Sequence, residues 1–252
     1  MLLWQYNDAY YMILPREMCE PVRKRLSMYI LRAKVKAADV SAEHALFGFS
    51  GARATAMAAE FAGTTLLKMH GAVHANGVSI LRLPVDRFLL VAAASKAAEI
   101  DATLTKMAAG LSDDYWSALD IEAGIPNIVQ ATQEQFVPQT VNFDLIDAVS
   151  FDKGCYPGQE IVARTHFLGK VKQRMVRARL QSAEAPVAGD KLYSDTYGDQ
   201  ASGMIVNAVR TATGEHKVLA VIQASDIDKA AVRWKSPTGA TLEIQPLPYT
   251  LT

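Results

Sequence analysis

The sequence predicts an α+β fold built of two related α+β halves, followed by a small C-terminal β-barrel. A strand–turn–strand–helix pattern near the start of the chain returns between residues 78 and 110, which predicts the two halves. After Gly169 only short strand-like runs follow, divided by Gly, Asp, Pro and Thr, as is typical of a barrel or sandwich. We therefore expect one domain over residues 1–168 and a second over residues 169–252.

The first unit begins with "LLWQYNDAYYMIL", which predicts two short strands around a turn at Asn7 and Asp8. A helix is expected from Met18 to Leu31, since Val22 and the apolar residues after it fall at helical spacing. Pro21 suits the first turn of that helix. The stretch "AKVKAADV", residues 33–40, then alternates like a strand.

Between the two units, "HALFGFSG" predicts a strand and "ARATAMAAEFAG" a helix rich in small residues. The second unit reads "VSILRLPVDRFLLVAAA", two strands around a turn, and then a helix opened by Ser95 and closed by Gly110. The barrel strands are expected in "KVKQRMVRARL", "KLYSD", "ASGMIVNAVR", "HKVLAVIQAS" and "AVRWKS".

The composition is that of an ordinary globular protein, with 50% hydrophobic and 21% charged residues. Lys+Arg and Asp+Glu balance at 26 each, so the overall charge does not indicate a nucleic-acid partner. Two distant cysteines, Cys19 and Cys155, form neither a disulfide framework nor a zinc site, and no metal is expected. No signal peptide or apolar run of spanning length is evident, which predicts a cytoplasmic protein away from the membrane.

Cys155 lies in the stretch "KGCYPGQEIVAR", which predicts a turn and then a short helix from Pro157. The thiol would stand just before free backbone N–H groups and close to Lys153, and both features favour a reactive thiolate. His166 is the nearest histidine, but nothing in the spacing shows that it reaches the sulfur. Spacing alone slightly favours the other interpretation, a small buried residue in a tight turn.

The stretch "SDDYWSALDIEAGIP" predicts a helix with Ser112 as its N-cap and Gly124 at its end. Trp116 shares one stripe of this helix with Leu119 and Ala123, and the pattern alone favours a tryptophan that faces the core. Glu122 stands in the last turn, where its charge faces the negative end of the helix dipole, so helix stability does not explain it. A carboxylate there is either an exposed surface charge or an acceptor for a ligand with adjacent donors.

A basic stretch follows, with six Lys and Arg residues within sixteen positions: Arg164, Lys170, Lys172, Arg174, Arg177 and Arg179. Such a stretch is often only a solvated strand. As a binding surface it would contact either the acidic tail of a small-molecule ligand or RNA phosphates. Because few aromatic residues interleave with these charges, direct nucleic-acid binding is not expected.

The stretch "KGCYPGQEIVARTHFLGKVKQR" resembles the signature of the YgfZ family of folate-binding proteins, relatives of the glycine-cleavage T-protein, an aminomethyltransferase. The positions that fit the family pattern are Lys153, Gly154, Cys155, Tyr156, Gly158, Gln159, Glu160, Ala163, Arg164 and Gly169. The resemblance extends through "WSALDIEAGIPNI", "EQFVPQTVNFDLIDAVSF" and "LEIQPLPYTL", and so covers nearly the whole chain.

This resemblance implies a T-protein-like folate-binding region and a cytoplasmic accessory factor that binds tetrahydrofolate or a one-carbon derivative. It further implies support of iron–sulfur cluster assembly or repair, and thereby of tRNA modification, with iron–sulfur proteins such as a tRNA-modifying enzyme as partners. Such a factor is best treated as non-enzymatic. The alternative is a folate-dependent aminomethyltransferase.

The resemblance also implies roles for particular residues. Cys155 would be the functional thiol, with Lys153 beside it, acting on a folate-derived group, a partner or an iron–sulfur species. Trp116 would stack on the folate, and Glu122 would accept the adjacent N–H donors of the pterin. The remaining cofactor contacts are expected from Tyr156, Gly158, Gln159, Glu160 and Arg164.

Members of the family normally carry a further N-terminal segment, which supplies another folate-contacting aromatic residue and, in T-protein, an acidic residue. The present sequence starts directly at the first predicted strand. From the resemblance we expect a truncated or naturally shortened first half, with a folate pocket that lacks one wall.

Overall fold

The structure is a computed structural model that describes residues 1–64, 68–154, 158–167 and 169–251. The chain forms two compact units, Met1–Ser112 and Asp113–Thr252. The boundary predicted between residues 168 and 169 stays a prediction, and it falls inside the second of these units.

The first unit begins with the predicted hairpin, strands β1 (Leu2–Tyr6) and β2 (Ala9–Ile13). Asn7 makes the turn with a φ of 52°, a left-handed conformation that Asn tolerates better than most residues. Trp4 stands opposite Tyr11 in the register, and Trp4 is buried.

Two of the predictions for the next segment are wrong. Helix α1 (Arg16–Ser27) contains Pro21 in its second turn, not its first. Residues 34–40 form no strand and are mostly exposed, because an alternating pattern makes a strand only where it has a partner strand and a face to bury.

The centre of the first unit is a four-stranded antiparallel sheet in the order β3-β6-β5-β4. Its strands are β3 (His44–Ser50), β4 (Ala72–Ala75), β5 (Val78–Leu83) and β6 (Arg87–Ala93). Helices α2 (Ala54–Ala62) and α3 (Ala97–Met107) contribute to one core with alternate residues of β5 and β6. Except for β4, which is short and was not predicted, the predicted strands and helices of this sheet are confirmed. The predicted ends of α3 are wrong, because Ser95 lies in a 3₁₀ turn ahead of the helix and the helix ends at Met107, before Gly110.

The second unit begins with helix α4 (Asp113–Glu122), and helix α5 (Gln159–Phe167) follows. The strands are β7 (Gln173–Leu180), β8 (Lys191–Ser194), β9 (Ala201–Arg210), β10 (His216–Gln223), β11 (Val232–Trp234) and β12 (Glu243–Gln245). They form one antiparallel sheet in the order β11-β8-β9-β10-β7-β12. All of them except β12 fall within the predicted runs.

This six-stranded sheet curls. The Trp234 N–H donates to the Ala240 carbonyl at 2.9 Å, and the Leu242 N–H donates to the Val232 carbonyl at 2.8 Å. The residues just before β12 therefore contact β11, while β12 itself pairs with β7 at the other edge. The chain is thus a mixed α and β protein whose C-terminal strands form a curled, half-barrel sheet.

The curl gives the sheet two different faces. One face carries a core of small and branched residues from β7, β9 and β10, including Val176, Ile205 and Val218. The other face carries Met175, Val206, Leu219 and Val221, which share a second core with Ile121 of α4. Helix α4 is therefore fixed by packing on the sheet, over strands β9 and β10.

No helix among the described residues is long and apolar enough to cross a membrane.

Candidate functional site

The C-terminal end of α4 is set by a glycine. Gly124 has a φ of 65°, and its N–H donates to the Ile121 carbonyl at 3.0 Å. The Ile125 N–H donates to the Asp120 carbonyl at 2.9 Å. This pair of bonds is a Schellman motif, so the helix ends where the sequence predicts.

Helix α4 turns Ile121 toward the sheet, where only 2% of its surface stays exposed. Trp116 is half-buried and does not belong to that core cluster. Ile121 and Ala118 lie on the face of α4 that packs against the sheet core. Trp116 lies about one and two-thirds turns before the helix end, about 9 Å along the axis from Glu122.

Glu122 has two partners on the sheet. Lys217 of β10 donates a hydrogen bond to its carboxylate oxygen Oε1. Arg177 of β7 donates to its backbone carbonyl at 3.2 Å. These cations offset the negative end of the α4 dipole and the charge of Glu122 itself. The second carboxylate oxygen, Oε2, accepts no hydrogen bond from any residue that the structure describes.

A buried clamp holds the turn behind Glu122. The Tyr249 hydroxyl donates to the Gly124 carbonyl at 2.7 Å, and burial raises the pKa of Tyr249 above its ordinary value. Asn142 donates to Tyr249 at 3.4 Å and to the Met175 carbonyl at 2.8 Å. A Cβ at Gly124 would stand 2.7 Å from the Tyr249 ring, so the site requires glycine for space as well as for conformation.

A second set of bonds holds the chain that leaves α4. The Asn127 N–H donates to the side-chain oxygen of Asn207 at 2.9 Å, and the Asn207 amide donates back to the Asn127 carbonyl at 2.8 Å. Asn127 also donates to the Asp120 carboxylate at 3.1 Å. The backbone around Glu122 is therefore fixed on both sides of the turn.

The cysteine motif is described only in part, because Cys155 and Tyr156 lie outside the described residues. Gly158, with a φ of 88°, directly precedes α5, so the predicted helix after the turn is confirmed. On that helix Gln159 is half-buried and Glu160 and Arg164 are exposed.

Polar bonds connect α5 to strand β7 through the segment that starts at Gln139. The buried Gln139 side chain donates to the Val162 carbonyl of α5 at 2.7 Å. Arg174 of β7 donates to the Gln139 carbonyl at 2.8 Å and to the Asp144 carboxylate at 2.8 Å. Arg174 is only 6% exposed, so this residue is not available for the tail or phosphate contact that the sequence suggested.

The other residues of the basic stretch differ in their exposure and in their partners. Lys170 and Lys172 are exposed ahead of β7. Arg177 is partly buried under the end of α4, and Arg179 pairs with Glu215 at 3.9 Å. One continuous basic stripe does not form, because the strand turns these side chains to different surroundings.

No protein-family model matches the chain. It is 31% identical over 252 residues to the tRNA-modifying protein YgfZ of Shigella sonnei, and the match covers 99% of this chain and 77% of that protein. The chain belongs to the YgfZ family. The YgfZ proteins of Yersinia enterocolitica and Yersinia pseudotuberculosis are 32% and 31% identical, over 90% and 94% of this chain and 69% and 72% of their own length. The predicted membership is confirmed.

One solved structure similar to this member of the YgfZ family is the glycine cleavage system aminomethyltransferase T from Bartonella henselae. The match covers 81% of this chain and 83% of that one at 14% identity, with a TM-score of 0.33. A score this low carries no argument about fold or function.

Several residues of the candidate site could not be found by spacing, among them Lys217 and Gln139. Tyr249 and Asn142 lie in stretches that resemble the YgfZ family, "LEIQPLPYTL" and "EQFVPQTVNFDLIDAVSF", and that resemblance was the available signal. Within the described ranges, no group of three or more His, Cys, Asp or Glu side chains is placed to hold a metal ion. The partners of Glu122 come from β7 and β10 and not from α5.

Proposed function

We propose that this chain is a tetrahydrofolate-binding accessory factor that supports iron–sulfur proteins and, through them, tRNA modification. The relatives that establish its family are called tRNA-modifying proteins. The observation that carries the folate part is the presentation of Glu122, on a turn fixed by Tyr249 and Asn127 with one carboxylate oxygen open.

Glu122 is the proposed pterin ligand. A pterin offers adjacent N–H donors along one edge, and a carboxylate accepts two such donors in a bidentate pair. Lys217 restrains the carboxylate by donating to Oε1. Each carboxylate oxygen has two lone pairs, so Oε2 and the second lone pair of Oε1 remain to accept the two pterin donors. Because the backbone carbonyl of Glu122 is held by Arg177, little conformational freedom remains to be lost when the folate binds.

Trp116 is the proposed stacking residue. It lies outside the α4 core and six residues before Glu122, about 9 Å along the helix axis and about 120° around it. A folate that contacts both residues must therefore lie across the helix rather than along one face. Its pterin would meet Glu122, and a second ring would meet the indole.

The motif residues complete the proposal. Cys155 is the proposed functional thiol, with Lys153 near it, and Tyr156, Gly158, Gln159, Glu160 and Arg164 are proposed cofactor contacts. The N-terminus of α5 favours a thiolate just before it. The Gln139 bonds to Val162 and Arg174 support a fixed α5.

Our proposal retains the finer features expected from the sequence pattern and from the resemblance. These are a T-protein-like region with two related halves, a domain boundary at residues 168 and 169, a cytoplasmic location and a role without turnover. In the first unit, the hairpin β1–β2 forms a two-stranded sheet by itself, and the hairpin β5–β6 belongs to the four-stranded sheet.

The direct test is a calorimetric titration of tetrahydrofolate into the wild-type chain, Trp116→Ala and Glu122→Gln. We expect wild-type binding that weakens in both variants, with thermal unfolding as a check that each variant folds. Absence of wild-type binding would refute the folate role. Stoichiometric one-carbon transfer from an amine substrate would instead support the aminomethyltransferase alternative.

The thiol has a separate test with a matched control. We expect Cys155→Ala to fold but to fail to complement a strain that lacks the protein. Cys19→Ala should complement fully, since partial burial and a hydrogen bond to Asp39 raise the pKa of the Cys19 thiol and favour its unreactive form. Full complementation by Cys155→Ala would assign Cys155 a packing role.

A further inference from the structure

The unit Met1–Ser112 contains a pocket of about 180 Å³ between the β1–β2 hairpin and the face of strands β5 and β6. Its lining includes the aromatic rings of Trp4, Tyr6, Tyr11 and His44. Ser79 and Val91 also line it. None of these residues takes part in the candidate site at α4.

The aromatic rings that line the pocket already pack against one another. Trp4 and Tyr11 are cross-strand partners, stacked with ring centroids 5.4 Å apart. His44 meets the Tyr11 ring edge-on at 5.6 Å, and Tyr6 lies 6.4 Å from it. Aromatic side chains held in this way can contact the face or edge of another flat ring without rearranging.

Ser79 contributes a hydroxyl group whose hydrogen-bonding role is set by His74. Its hydroxyl lies 2.7 Å from Nδ1 of His74, and Nε2 of His74 lies 3.0 Å from the Gln5 carbonyl oxygen. A carbonyl only accepts, so Nε2 carries the hydrogen and Nδ1 of the neutral ring accepts from Ser79. The hydroxyl hydrogen of Ser79 is therefore used in the bond to His74, and the Ser79 oxygen can accept a hydrogen bond from a ligand.

We propose that this pocket binds a single aromatic ring that carries a hydroxyl or amino group, as a phenol or an aniline does. A cavity of about 150 Å³ holds a benzene molecule, so the volume suits one such ring. The ring contacts Trp4, Tyr11 and His44, and its substituent donates to the Ser79 oxygen. All residues of this pocket lie in the first unit, and Glu122 and Trp116 of the proposed folate site lie in the second.

The test is a fluorine NMR titration of the full chain with 4-fluorophenol and with fluorobenzene, the same ring without a donor. We expect saturable broadening of the 4-fluorophenol signal and an affinity about fivefold above that of fluorobenzene, the usual effect of one hydrogen bond. Ser79→Ala should lower the 4-fluorophenol affinity to the fluorobenzene level and leave fluorobenzene unchanged.

A second variant tests the pocket itself. Ala93 lines the pocket and is exposed, so Ala93→Leu fills the space at little cost to the core, and both ligands should lose binding. Thermal unfolding checks that each variant folds. Equal affinities for the two ligands in the wild type, unchanged binding to Ala93→Leu, or no saturable broadening would each overturn the proposal.

Discussion

The carboxylate of Glu122, in the last turn of α4, accepts a hydrogen bond from the ammonium group of Lys217, 95 positions later in β10. This pair joins the end of a helix to the sheet that supports it. The two side chains keep 37% and 24% of their surface exposed, so the pair contributes little to stability. Its role in our proposal is to orient the carboxylate toward a ligand.

Lys217→Met should weaken tetrahydrofolate binding about three- to tenfold, because Glu122 then loses the contact that restrains it. The free energy of unfolding should fall by less than about 1 kcal/mol. Calorimetry and urea unfolding measure the two effects. Lys235→Met, which removes a surface pair with Glu184, is the control and should not change binding. Tighter folate binding in Lys217→Met would mean that the lysine competes with the ligand.

Gly124→Ala should destabilise the second unit by about 2–4 kcal/mol. The cost combines a left-handed backbone at φ 65° with a Cβ 2.7 Å from Tyr249. Gly198 has a φ of 57° and no atom within 4 Å of its added Cβ, so Gly198→Ala should cost only about 1–2 kcal/mol. Equal losses in urea unfolding would show that the Tyr249 contact is not restrictive.

Arg174→Met should destabilise the chain by about 3–5 kcal/mol, because it leaves the Asp144 carboxylate, 10% exposed, without its counter-charge. Arg179→Met, at the partly exposed and long pair with Glu215, should cost less than about 1 kcal/mol. Urea unfolding compares the two. A small loss in Arg174→Met would contradict the buried placement of this arginine.

Stability should decline at alkaline pH through Tyr249. Burial raises the pKa of Tyr249 above its ordinary value of about 10. Above that value the unfolded chain releases a proton that the folded chain retains, so the free energy of unfolding falls as the pH rises. The contribution is complete below about pH 10 and is lost as the pH passes through the folded pKa. Urea unfolding at several pH values should give a shallower decline for Tyr249→Phe than for the wild type, and equal slopes would contradict this account.

Local patterns predicted most of the secondary structure. The alternating strands of the curled sheet and the glycine end of α4 are visible in the sequence because residue spacing and turn chemistry encode them. The strand expected at residues 33–40 did not form, because its alternation has no partner strand. Strand β12, only three residues long, is too short for a pattern.

The candidate site was predicted only where a family resemblance named its residues. Glu122 looked unfavourable at a helix end because its compensating charge, Lys217, belongs to a distant strand. Arg174 looked exposed among other basic residues because Asp144, its partner, lies thirty positions earlier. Such contacts depend on how strands and loops meet, and periodicity does not reveal them.

The central claim, that Glu122 recognises the pterin, is tested most directly by calorimetry with two ligands and two proteins. Tetrahydrofolate and p-aminobenzoylglutamate, which lacks the pterin, are titrated into the wild type and Glu122→Gln. Our account predicts that the variant binds tetrahydrofolate at least about tenfold more weakly, since hydrogen bonds to a charged acceptor are lost, and binds p-aminobenzoylglutamate unchanged. Unchanged tetrahydrofolate binding, or an equal loss for both ligands, would contradict it.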